Sequence, residues 1–127
     1  VTTPQDIALI DAKKGLKMFE KVNVPLLGIV ENMSVFICPC CGEVTHIFGE
    51  GGAKRMSEQY GVPMLGELPL SPAIREAADS GRPTVAAEPE SVAAKMYRAI
   101  AMKIAGSIAK LGKDYTARMP TISVKND

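Results

Sequence analysis

The run VPLLGIVEN at residues 24–32 limits the fold more than any other stretch, because it is apolar on both of its alternating sides. A strand with one face in water alternates polar and apolar residues, whereas one written almost wholly in apolar residues is covered on both faces. That pattern belongs to parallel sheets, whose strands are joined by helices. PMLGEL at 63–68 reads as a second short strand, and Val1 reads as the end of a third.

Helical signals fill the space between. TTPQD opens a helix expected over Pro4–Val22, with Thr3 as cap, Pro4 in the first position and Asp6 as the acidic member of a capping box. Ile7, Ile10, Leu16, Phe19 and Val22 give it an apolar side, and Lys13, Lys14, Lys17 and Lys21 a solvated one. A second helix is expected over Ala53–Tyr60, stopped by Gly61 ahead of Pro63. Ser71 and Pro72 start a third, which ends at Gly81. PTVAAEPE reads as a connector. A long helix over Glu90–Leu111 then carries Val92, Met96, Ile100, Ile104, Ile108 and Leu111 at helical spacing. Residues 113–127 read as an exposed tail or a late edge strand. Strands alternating with helices indicate an α/β layer fold with a parallel sheet. Two strands and a stub are few for such a sheet, so the chain is expected to be one part of a longer protein.

Composition narrows the function classes. The 127 residues carry 15 basic and 14 acidic side chains, a formal net charge of +1. That balance gives no basic excess for binding nucleic acid or an anionic membrane surface. No apolar run approaches the roughly 20 residues that span a bilayer. All three cysteines fall within four positions, a poor disulfide framework, and a reducing cytoplasm suits them better.

Those cysteines sit in FICPCCGEVTHIFGEGG, residues 36–52, with the only histidine. Cys38 and Cys41 form a C-x-x-C pair followed by Gly42, a spacing at which the chain turns around one metal site with backbone amides directed at the sulfurs. Cys40 adjoins Cys41, and neighbouring residues rarely aim both side chains at one ion, so it is a spare or alternative ligand. Zinc and iron–sulfur sites want four ligands. One chain supplies two thiols and, at most, His46. Two copies supply two pairs, which places a four-thiolate site on the two-fold axis of a symmetric dimer. Three other readings stay open: incidental or structural thiols, a redox pair, and a single-chain zinc knuckle using His46. The redox reading is weakened because GEVTHIFG continues as turn and extended chain and not as a helix whose dipole lowers a thiol pKa.

Other motifs carry less. GEGGAK at 49–54 matches neither a Walker A loop nor G-x-G-x-x-G, and its glycines read as a sharp turn before the second helix, with a weak anion site at that helix start as a remote alternative. A lone histidine beside cysteines makes no Ser-His-Asp site, and no catalytic residue is assigned. Met56, Met64, Met96 and Met102 read as core filler. Asn32 ends the apolar strand, where doubly wound sheets gather ligands, and Pro69 ends the next strand at the same level; a turn-capping role for Asn32 is equally open.

VTTPQD, GIVENMSVFICPCCG, HIFGEGGAKR, LGELPLSPAIREAADSGRPTV and EPES, in this order, resemble the C-terminal half of the Mrp-type iron–sulfur cluster carriers, deviant-Walker P-loop ATPases of the MinD/ParA-like class. The resemblance covers about residues 1–112, with a cluster-binding loop at 33–52 inserted in the P-loop NTPase fold and 113–127 as a tail. It implies a doubly wound parallel sheet, a cytoplasmic homodimer, ATP with magnesium in the intact protein, and a [4Fe–4S] cluster bridged between protomers for delivery to apo iron–sulfur proteins. By position the cluster ligands are Cys38 and Cys41, and Cys40 is a departure at a variable position. Asn32 and Pro69 match positions around the adenine, which favours the binding role of Asn32. The family's Walker A loop and Walker B acid have no counterpart among these residues, so the chain alone is expected not to hydrolyse ATP. Two further functions fit part of the pattern: a structural zinc module using the same thiolates, and a partitioning-type ATPase, which would not need the cysteine pair.

Overall fold

The computed structural model describes residues 1–111, so the tail expected at 113–127 lies outside the described residues. The elements are α1 (Asp6–Lys21), β1 (Ile29–Glu31), β2 (Phe36–Ile37), β3 (Val44–Thr45), α2 (Gly52–Tyr60), β4 (Met64–Glu67), α3 (Pro72–Asp79), α4 (Thr84–Ala87) and α5 (Val92–Lys110). β1 and β4 pair in parallel, with Ile29 opposite Met64, Val30 opposite Gly66 and Glu31 opposite Glu67. On the other side of β1, Thr2 forms a parallel bridge to Glu31, and its backbone takes hydrogen bonds at both ends: Thr2 N–H to Val30 O at 3.0 Å, and Asn32 N–H to Thr2 O at 2.7 Å. The third-strand stub expected at the start of the chain is therefore present.

Both faces of this small sheet are covered, as the apolar run requires. Leu9 and Leu16 of α1 and Ala53 and Met56 of α2 pack with Ile29 and Val62 on one face. On the other, Ile100 of α5 packs with Val30, Leu65 and Leu68, flanked by Met96, Tyr97 and Ile104. Successive residues of β1 thus point into separate cores, which is what a doubly covered strand does. The close seat of α5 depends on Gly66, where a Cβ would lie 2.6 Å from Ile100 Cγ1.

Several element bounds differ from expectation for identifiable reasons. The strand expected over 24–32 is regular only over Ile29–Glu31. Pro25 has no N–H to give a ladder, a register shift interrupts pairing between Ile29 and Val30, and Gly28 lies against Leu65 and the Pro63 carbonyl where a Cβ would not fit. Helix α1 starts at Asp6 because Thr2 is held in the sheet and Thr3 Oγ1 bonds Gln5 Oε1, so the expected Thr3 cap and Asp6 capping box do not form. It ends in a Schellman motif, with Asn23 at φ 58°, Val24 N–H bonding Phe19 O and Asn23 N–H bonding Glu20 O. Its inward stripe is Leu9 and Leu16, both buried, with Ala12 partly buried between them, while Ile7, Ile10, Phe19 and Val22 are exposed. Only the middle of the α5 stripe is seated, because a 19-residue helix is about 28 Å long and a 4-residue strand about 13 Å. Val92 and Ile108 overhang and are exposed, as is Met102. Ser91 caps α5 through Ala94 N–H at 3.1 Å, and the expected connector contains the single turn α4.

Candidate functional site: a thiol hairpin at the carboxyl end of the sheet

Beyond β1 the chain keeps company with the segment after β4. Leu68 N–H bonds Glu31 O, Ser34 N–H bonds Leu68 O, and Leu70 N–H bonds Val35 O, all between 2.8 and 3.0 Å. Ser34 is buried and its Oγ donates to the Leu68 carbonyl as well. These bonds carry the parallel pairing past the end of the sheet to a bridge between Phe36 and Leu70. From that base rises an antiparallel hairpin, with Phe36 opposite Thr45 and Ile37 opposite Val44.

The cysteines form its turn. Cys38 N–H bonds Glu43 O at 2.9 Å, and Gly42 N–H bonds Cys38 O at 2.8 Å, with Gly42 in the left-handed region at φ 75°. A residue with a Cβ would be strained there, which explains the glycine after the second cysteine. Cys38 is half-buried; Cys40 and Cys41 are exposed, and all three are free thiols. The backbone amide of Cys41, then that of Cys40, hydrogen-bonds the Cys38 sulfur, with smaller help from the two neighbouring thiols, and together they hold the Cys38 thiol below the ordinary cysteine range. Amides directed at sulfur are what a thiolate ligand needs around it.

His46 is engaged elsewhere. Its Nδ1 lies 3.0 Å from Ser34 O, so the ring carries a proton there and donates it to the base of the hairpin, with Nε2 3.9 Å from Glu50. Among the described residues no three His, Cys, Asp or Glu side chains converge as a metal set.

The far end of the loop returns through Gly49 (φ 93°) and Gly51 (φ 67°), the sharp turn expected of GEGGAK. Gly52 fits against Pro4 O, where a Cβ would sit at 2.6 Å. The anion site considered at the start of α2 is filled from within. Glu31, 2% exposed, places Oε2 2.7 Å from Ala53 N–H at the positive end of the helix. Sequence reasoning passed over Glu31, although a lone carboxylate closing an apolar run was a visible signal.

Asn32 and Pro69 lie on the two adjacent segments at the carboxyl end of the β1–β4 pair. Asn32 Oδ1 accepts Met33 N–H at 2.9 Å, and Met33 adopts φ 57°. The capping role is thus real, and the amide nitrogen of Asn32 has no partner among the described residues. An open cavity of about 490 Å³ beside Asn32 is lined by Thr2, Thr3 and Asp11 as well, and Pro69 is not part of it.

A family profile described as ParA, NUBPL iron-transfer P-loop NTPase, matches residues 1–105. The chain belongs to this family. An iron–sulfur cluster carrier protein of Pseudomonas fragi is 56% identical over 102 residues, which is 80% of this chain and 36% of that protein. The chain spans about a third of the length of the curated relatives it matches. Among solved structures, the cell division ATPase MinD of Pyrococcus furiosus superposes with a TM-score of 0.61 at 32% identity, covering 88% of this chain and 41% of that one. A nucleotide-binding protein of Archaeoglobus fulgidus in complex with ADP does so with a TM-score of 0.57 at 37% identity, covering 72% and 36%. The parallel β1–β4 pair between helical layers is thus the P-loop NTPase architecture expected from the sequence. No helix among the described residues is long and apolar enough to cross a membrane.

Proposed function

We propose that this chain is the cluster-bearing part of a cytoplasmic iron–sulfur carrier. Its cargo is a [4Fe–4S] cluster held by the Cys38 and Cys41 thiolates together with the same pair from a second copy, and delivered to apo iron–sulfur proteins. The observation that carries this reading is the Cys38–Gly42 turn, which closes on the Gly42 N–H to Cys38 O bond with Gly42 at φ 75° and sets the free thiols at the tip of the hairpin. The relatives' names support the cargo. Cys40 is the spare thiol. His46 donates its Nδ1–H to Ser34 O and stands outside the proposed ligand set.

ATP with magnesium serves the intact protein, its adenine beside Asn32 and Pro69. The phosphates and the metal need a loop and an acid that these residues do not supply, so the chain alone does not turn over ATP. What Asn32 contributes is a free amide donor at the carboxyl end of β1, held in place by its own bond to Met33.

Anaerobic reconstitution of the chain with iron and sulfide, after circular dichroism has shown it folded, tests the reading. The expected product is a brown dimer with about two iron atoms per chain. Cys38→Ala or Cys41→Ala abolishes loading and Cys40→Ala does not. A folded, colourless chain that retains only zinc would establish the structural zinc module instead, and equal loss from all three substitutions would overturn the ligand assignment.

A further inference from the structure

We infer that His46 is the positioning residue of the thiol hairpin: its ring donates the hydrogen bond that one more ladder rung would have supplied, and so ties the return arm to the body. The inference rests on the proposed thiol site, and it adds what keeps that site in place.

Phe36 stands opposite Thr45 and Ile37 opposite Val44, and Cys38 N–H bonds Glu43 O. Hydrogen-bonded pairs alternate along an antiparallel ladder. With Cys38 and Glu43 as one such pair, Phe36 and Thr45 are the next, and Ser34 with Ile47 would be the one after. Ser34 O is thus the acceptor that Ile47 N–H would take if the strands stayed paired. They do not: β3 ends at Thr45, and no Ile47 N–H to Ser34 O bond forms. His46 Nδ1 stands at that carbonyl instead, 3.0 Å away. A carbonyl oxygen only accepts, so the ring is the donor.

The far end of this bond is firmly held. Ser34 is buried, and its N–H and its Oγ–H both go to Leu68 O, at 3.0 and 3.2 Å. Leu68 belongs to the core packed against α5. The return arm has little else. Both residues of β3 are exposed and the ladder has two rungs. Gly49 N–H turns back to His46 O, and the next hydrogen bond to the body comes at Glu50, whose carbonyl accepts from Arg55 Nη1. A two-stranded hairpin is marginal in water by itself. Leu70 N–H to Val35 O and the Phe36–Leu70 bridge fasten the outgoing arm, and His46 fastens the other. With both arms fixed, the Cys38–Gly42 turn has one place relative to the sheet, and no hinge motion has to be arrested when the cargo arrives.

Asparagine separates positioning from ligation. Its side-chain amide N–H takes the place of Nδ1–H, while nothing in it takes the place of Nε2, which lies 3.9 Å from Glu50 on a side chain 40% exposed. The test compares the full chain with its His46→Asn and His46→Leu variants. Urea unfolding reads the fold, and nuclear magnetic resonance reads amide exchange at Cys38 and Gly42 in the metal-free chain. Iron release to a ferrous chelator is followed after iron–sulfide reconstitution. His46→Leu keeps the parent's urea midpoint, since the bond lies outside both cores, yet its turn amides exchange roughly 3- to 10-fold faster, the worth of one hydrogen bond. It releases iron faster by a similar factor, and His46→Asn returns both rates to within about twofold of the parent. Unchanged exchange in His46→Leu overturns the inference, and iron lost from both variants with exchange unchanged makes His46 a ligand instead. Exchange as fast in His46→Asn as in His46→Leu overturns it too, because the donor is then not what holds the arm. A folded parent that takes up no iron overturns the carrier reading, and the exchange rates alone then decide whether His46 holds the hairpin.

Discussion

Replacing Glu31 tests whether the buried clasp between β1 and α2 is as structural as its geometry says. Glu31 Oε2 lies 2.7 Å from Ala53 N–H, with Glu31 2% and Ala53 0% exposed, so no water substitutes for either partner. A hydrogen bond to a charged acceptor contributes about 1.5–3 kcal/mol net. A carboxylate at a partly buried helix N-terminus gains up to about 2 kcal/mol, which in part describes the same contact. Against this stands the desolvation regained when a buried charge is removed. The balance puts Glu31→Ala at about 2–3 kcal/mol of lost stability, because it orphans a buried donor. Glu31→Gln keeps an acceptor of the same length and loses only the charge, about 1 kcal/mol. Urea unfolding followed by far-ultraviolet circular dichroism reads both. With a slope of about 1–2 kcal/mol per molar for a chain of this size, the alanine midpoint falls by about 1–3 M. A loss below about 0.5 kcal/mol for Glu31→Ala, or equal losses for the two variants, would refute the argument that Ala53 N–H needs this acceptor.

Three further outcomes are expected. In a Cys40→Ala/Cys41→Ala chain both backbone amides remain, so Cys38 alkylation rises through its half-maximum at a pH below that of an unstructured peptide thiol, the thiolate being the reactive form; a coincident profile would mean the amides do not stabilise it. Gly66→Ala drives a Cβ into Ile100 and costs about 1–3 kcal/mol, and in the double variant with Ile100→Ala the losses sum to clearly less than the two singles; strict additivity in unfolding experiments would disprove the close approach. In the proposed full-length carrier, Asn32→Ala weakens nucleotide binding by roughly 3- to 10-fold in calorimetry and leaves iron loading unchanged. An unaltered affinity would leave Asn32 with its Met33 bond alone.

What the sequence discloses tracks the range of the interactions involved. The thiol turn is legible because its determinants are contiguous: two cysteines at the right spacing and a glycine that must be left-handed. The doubly covered strand is equally local, since its apolar run declares that both faces are buried. By contrast, which stripe of α1 goes inward depends on α2 and β1, which select Leu9, Ala12 and Leu16 over the equally apolar Ile7, Ile10 and Phe19. Strand bounds depend on Pro63 and Leu65, far along the chain from Gly28. The Glu31–Ala53 bond spans 22 residues, and no local pattern announces its partner.

That bond has a consequence for how such a chain changes over time. Glu31 and Ala53 bring the two ends of the thiol-bearing segment within one hydrogen bond of each other, on elements packed into the same core. A segment whose ends already meet is a cassette. It can be lengthened, shortened or exchanged for another without moving the supports, since closing a longer loop between fixed ends costs only about 0.6 kcal/mol per doubling. A parallel sheet equipped with this clasp is thus a ready chassis for trading one tip chemistry for another.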